Sequence, residues 1–89
     1  MPPVPASQRA LGTAVKLRRQ ELGLSQEQLA LRSQLHQRWI SNVETGKRNP
    51  SYESIRRLAA SLATTASDLI CRAEAIEGDG GTQRVSRCE

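Results

Sequence analysis

Gln37 and Arg38 stand side by side, with His36 before them and Ser41 and Asn42 one helical turn further on. A glutamine amide can pair in bidentate fashion with N6 and N7 of adenine, and a guanidinium with O6 and N7 of guanine. Each pairing discriminates against the wrong base by about 1 to 3 kcal/mol. The chemistry on offer is recognition rather than bond-making. Glu44 with Arg19 defines no acid–base pair. Cys71 and Cys88 have neither metal-ligand spacing nor the density of a secreted disulfide scaffold. No catalytic residue, metal ligand or cofactor is expected. Cys71 reads as a small apolar helix residue and Cys88 as an exposed thiol.

Side chains that read bases need a platform that can enter a groove. From Gln26 to Val43, the residues Gln26, Leu29 and Ala30, then Leu35, Ile40 and Val43, form two short apolar stripes broken near Ser33–Leu35. At 3.6 residues per turn this is a helix, a tight corner and a second helix, a helix-turn-helix. Such a pair sets its second helix in the DNA major groove. The second helix is expected over Gln37–Glu44, with Ile40 and Val43 inward and His36 at its N-cap. Gln34 occupies the corner, where glycine is usual. A non-glycine residue in the left-handed conformation costs roughly 1 to 2 kcal/mol.

Three further helices would hold this pair. The first is expected over Ser7–Glu21, ended by Gly23 in the left-handed position with Leu24 as the apolar contact. Ser25 and Gln28 form a capping box at the next. Ser51 caps a fourth helix with Ile55, Leu58, Ala59 and Leu62 inward. Thr65 to Asp68 reads as a second capping box, opening a fifth helix through Leu69, Ile70, Ala73 and Ile76. The expected organisation is all-α, five helices, with a disordered arm over 1–6, a single domain over 7–77 and a flexible tail over 78–89.

The 89 residues make one small domain, too short to bury a core and a deep catalytic cleft together. Through residue 67 ten Lys or Arg face four acids; from Asp68 onward three face five. The basic part contains the helix-turn-helix, as a polyanionic partner requires. No run approaches the roughly 18 apolar residues of a membrane span, and the N-terminus lacks a signal peptide's apolar region. A cytoplasmic protein without membrane contact is expected.

Two segments, Arg19-Gln20-Glu21-Leu22-Gly23-Leu24-Ser25-Gln26-Glu27-Gln28-Leu29-Ala30 and Ile40-Ser41-Asn42-Val43-Glu44-Thr45-Gly46-Lys47-Arg48-Asn49-Pro50-Ser51, occur at the right separation for the Cro/cI-type, or Xre-like, helix-turn-helix family. The chain resembles that family over about residues 9–72. Within it, Leu35–Ser41 looks most like the controller proteins of restriction-modification systems, although Gln37 before Arg38 departs from their His-Arg-x-aromatic-Ile-Ser run. The resemblance implies a compact lambda-repressor-like bundle and a structural ion pair between Arg19 and Glu44. It also implies a phosphate-binding role for Gln26, with a purely capping role as the alternative.

The expected base-contacting set is His36, Gln37, Arg38, Ser41 and Asn42, with His36 equally readable as a turn residue. The phosphate-contacting set is Gln26, Trp39, Thr45, Lys47 and Arg48, which would anchor without reading sequence. Trp39 could lie along the groove edge or serve as a partly buried structural tryptophan. One reading helix covers few base pairs, so a homodimer on a palindromic operator in double-stranded DNA is expected. Its interface would involve Leu62, Ala63, Leu69, Ile70, Ala73 and Ile76, unless that stripe closes the monomer core. Without an effector domain, no small-molecule effector is expected. The function implied is an autoregulatory transcriptional regulator, a repressor or a restriction-modification controller. The alternative is an antitoxin or other protein-interaction module of a toxin–antitoxin pair.

Overall fold

The computed structural model describes residues 4–78, which form α1 (Ala6–Glu21), α2 (Gln26–Ser33), α3 (Gln37–Glu44), α4 (Tyr52–Ser61) and α5 (Ala66–Glu77). The described residues contain no strand, and α3 has the bounds its apolar spacing predicts. α1 starts one residue earlier than expected, at Ala6, directly after Pro5. The expectations for residues 1–3 of the arm and 79–89 of the tail, Cys88 included, lie outside the described residues.

α1, α3 and α4 end in the same way, as α2 also does at Gln34, whose following amide, Leu35, turns back to the Ala30 carbonyl. Gly23 and Gly46 adopt φ of 71° and 82°, and Ala63 adopts 56° after α4. In each case the amide beyond that residue turns back to an earlier carbonyl: Leu24 to Arg19, Lys47 to Asn42 and Thr64 to Ala59. Glycine announces the first two stops. Alanine at the third carries no such signal, and the Arg18 guanidinium supports it by donating to the carbonyls of Leu62 (2.9 Å) and Ala63 (3.2 Å).

The caps at helix starts follow side-chain length. Ser25 Oγ accepts from the Gln28 amide at 3.0 Å and Gln28 Oε1 accepts from the Ser25 amide at 2.8 Å, a complete capping box. Ser51 caps α4 through the Ser54 amide. The second box expected at Thr65 is only half made. Thr65 Oγ1 accepts from the Asp68 amide, but the Asp68 carboxylate accepts from Thr64 Oγ1 at 3.2 Å. Aspartate is one methylene shorter than the Glu or Gln that closes a box.

The main core joins all five helices through Val15, Leu29, Ile40, Val43, Ile55, Leu58, Leu62 and Leu69, with Leu24, Leu35 and Trp39 packed on its margin. A smaller cluster of Ala10, Ala14 and Ala73, with Leu11 and Ile76, lets α5 lie close along α1. Part of the expected interface stripe packs inward. Leu62, Leu69 and Ala73 are at most 7% exposed. They are spent on the monomer's own core and present no surface to a second copy. Ala63 and Ile70 remain exposed, and Ile76 is half-buried against the alanines. Cys71 is half-buried on α5.

Candidate nucleic-acid interface

α3 has two faces with different fates. Ile40 and Val43 are sealed in the core, while His36, Gln37 and Arg38 are exposed and Ser41 and Asn42 half-exposed. The five expected base-reading residues are thus all at least partly accessible, the three most exposed at the helix's N-terminal end. His36 holds the N-cap backbone conformation (φ −68°, ψ 137°) but makes no capping hydrogen bond with its ring. The corner before it runs through Gln34, which adopts φ 61° and ψ 33° in the left-handed region. Its amide donates to the Ala30 carbonyl at 2.8 Å, and Ser33 Oγ donates to the Leu29 carbonyl at 2.8 Å. The corner keeps the geometry of a glycine turn, with Gln34 bearing the strain.

A buried polar network fixes α3 against its neighbours. Arg19 donates from Nε to Glu44 Oε2 at 2.7 Å and from Nη2 to Oε1 at 3.0 Å, so the ion pair implied by the resemblance takes a bidentate form. Both residues are under a tenth exposed. Arg19 Nη1 also donates to the Leu24 carbonyl at 2.7 Å, tying in the segment that leads to α2. Gln26 Nε2 donates to Glu44 Oε1 at 2.9 Å. The Gln26 side chain therefore bridges the first turn of α2 to the last residue of α3, and capping of α2 is left to Ser25. Spacing along the chain gives no sign of this bridge, because the two residues meet only when α2 and α3 fold together.

The loop after α3 is built for close approach. Gly12 on α1 lies so near the carbonyls of Val43 and Glu44 that a Cβ there would stand 2.9 Å from the Glu44 oxygen. Lys47 and Arg48 both donate their amides to the Asn42 carbonyl, at 2.7 and 3.2 Å, and both side chains are exposed. Thr45 is exposed, but its hydroxyl donates inward to the Ser41 carbonyl at 3.0 Å. Its single proton is thereby committed to ending α3. Trp39 is half-buried and packs against the main core. Nothing local in the sequence singles out Gly12, since a glycine inside a helix reads as a minor cost to stability.

The arrangement amounts to a rigid helix presenting amide, imidazole and guanidinium groups, followed by a loop with two exposed cations. Among the described residues no group of three or more His, Cys, Asp or Glu could hold a metal. Nor is any helix long and apolar enough to cross a membrane.

Comparison with known proteins matches residues 15–69 to a family described as helix-turn-helix. Control protein C.MunI of Mycoplasma sp is 39% identical over 54 residues, covering 61% of this chain and 73% of that protein. Control protein C.BamHI of Bacillus amyloliquefaciens is 34% identical over 55 residues, covering 62% and 68%. Among solved structures, the restriction-modification controller protein C.AhdI from Aeromonas hydrophila superposes with a TM-score of 0.71 at 35% identity, covering 73% of this chain and 98% of that one. The clp gene regulator ClgR from Corynebacterium glutamicum superposes at 0.79 with 25% identity, covering 85% and 81%.

Proposed function

Because this chain belongs to the helix-turn-helix family of DNA-binding transcriptional regulators, we propose that it binds a palindromic operator as a homodimer and acts as a restriction-modification controller of its own promoter. The observation that carries this reading is the two-faced α3. Its inner side is locked by Ile40, Val43 and Glu44, and its outer side leaves Gln37 and Arg38 free to meet base edges. The likeness to C.AhdI over nearly that protein's full length supports the controller role.

Gln37, Arg38, Ser41 and Asn42 read bases, with His36 at the helix start. Lys47 and Arg48 grip phosphates on the flank, and the first turn of α2 beside Gln26 offers backbone amides to another. Two copies place their α3 helices in successive major grooves about 34 Å apart. With its expected apolar stripe largely consumed by the core, the chain has Ala63 and Ile70 left to contribute to the contact between copies. Binding that depends on dimer formation makes the response to protein concentration steep.

A gel-shift titration on the DNA upstream of its own gene tests this proposal. The expected result is a retarded band of dimer stoichiometry that survives excess unrelated duplex at moderate salt. Retardation only of the kind unrelated DNA gives, or a one-to-one complex of monomer and site, would overturn it.

A further inference from the structure

We infer that Arg9 on α1 is a further phosphate ligand of the DNA-binding surface, acting with Lys47 and Arg48 and positioned through Gln8. The inference rests on the DNA-binding reading above.

It begins with Gly12, whose missing side chain lets α1 pass against the last carbonyls of α3. One helical turn earlier along α1, Gln8 and Arg9 reach the loop that leaves α3. Gln8 Nε2 donates to the Gly46 carbonyl at 2.8 Å. The Arg9 stem lies on Gly46 itself, where an added Cβ would stand 2.9 Å from Arg9 Cγ and 3.4 Å from Val4 Cγ1. Arg9 thereby joins the flank of α3 that carries the next two residues of the loop, Lys47 and Arg48.

Its charge is uncompensated. Arg9 is exposed, and neither it, Lys47 nor Arg48 takes part in an ion pair among the described residues. One guanidinium nitrogen, Nη1, donates to the Val4 carbonyl at 2.7 Å. That bond steadies the side chain and leaves most of its five N–H donors available. A steadied guanidinium whose stem packs on the residue preceding Lys47 and Arg48 suits a phosphodiester oxygen, for which it needs no information about the base. The chain segment from Val4 to Arg9 is tied to the same loop, so α1 is a working part of the grip on DNA.

The test compares wild type, Arg9→Gln and Arg9→Lys on the upstream duplex and on a scrambled duplex of equal length, by fluorescence anisotropy between 50 and 200 mM salt. Superimposable thermal melts establish that the variants are folded. Arg9→Gln should weaken binding to both duplexes by the same factor. The log-log salt slope should become about one unit shallower for each bound protomer, so that the gap from wild type narrows about three- to fourfold per protomer across that range. Arg9→Lys should keep the wild-type slope. A glutamine variant parallel to wild type, or a loss confined to the upstream sequence, overturns the role of Arg9. A lysine variant as shallow as the glutamine one does so too, because the guanidinium then serves only the Val4 carbonyl. Failure of wild type itself to bind duplex DNA would overturn the DNA-binding reading as well.

Discussion

Arg19 shows how much a single side chain is asked to hold. Its guanidinium meets both Glu44 oxygens and the Leu24 carbonyl while almost wholly buried. Replacing it with alanine leaves the Glu44 carboxylate buried with only the Gln26 amide as a partner. Arg19→Ala should therefore cost about 3 to 5 kcal/mol of stability in a urea titration; a loss below 1 kcal/mol would mean that the pair is dispensable. Arg38 is the opposite case, exposed and without an ion pair among the described residues. On the proposed reading, Arg38→Ala should leave the melting curve in place and reduce preference for the operator over a single-base variant by about 1 to 3 kcal/mol, measured by competition binding. Equal loss on every sequence would assign Arg38 to the phosphates instead.

The helices meet through glycines and through residues that behave as glycine would. Gln34 holds a left-handed backbone at the corner between α2 and α3, a strain that glycine would not suffer. Gln34→Gly should raise stability by about 0.5 to 1 kcal/mol, the relief of strain outweighing the greater freedom of the unfolded chain. A decrease would show that the Gln34 side chain contributes packing that the backbone angle conceals. Gly12 argues the other way. Alanine there gains about 1 kcal/mol of helix propensity, yet its Cβ meets backbone carbonyls of α3 that cannot move aside. Gly12→Ala should be destabilising by about 1 to 3 kcal/mol, and thermal unfolding would reveal a stabilised variant if α1 could shift instead.

The packing of α1 against α5 is reinforced on the surface by Glu21. Its carboxylate accepts from Arg72 at 3.0 and 3.2 Å and from Arg18 at 3.3 Å, and these partners hold its pKa below the usual carboxylate value, the Arg72 hydrogen bonds foremost. A depressed folded-state pKa means stability that is present above the unfolded value and lost as pH falls through the folded one. Wild type should melt above Glu21→Gln at neutral pH, with the gap closing in acid below the ordinary carboxylate range. A gap that stays constant with pH would assign the effect to packing. Since Arg18 also holds the end of α4, the same carboxylate steadies the turn that presents Ala63.

Periodicity and punctuation were enough for the five helices, because apolar spacing, capping serines and stop glycines all act within a few residues. They were enough also for the exposed side of α3, where hydrogen-bonding residues alternate with Ile40 and Val43. The Arg19–Glu44 pair was legible through family resemblance, its bidentate geometry only through the fold. Tertiary structure alone decided which apolar residues of α4 and α5 are buried in the chain's own core and which stay exposed. Leu62, Leu69 and Ala73 look the same in sequence whether they face a neighbouring helix or a neighbouring molecule. It alone brought Gln26 to Glu44 and Gln8 and Arg9 to Gly46, contacts between residues 18 to 38 positions apart whose partners nothing in local spacing can specify. Local free-energy preferences determined the elements; the burial of side chains between them determined which surface was left exposed.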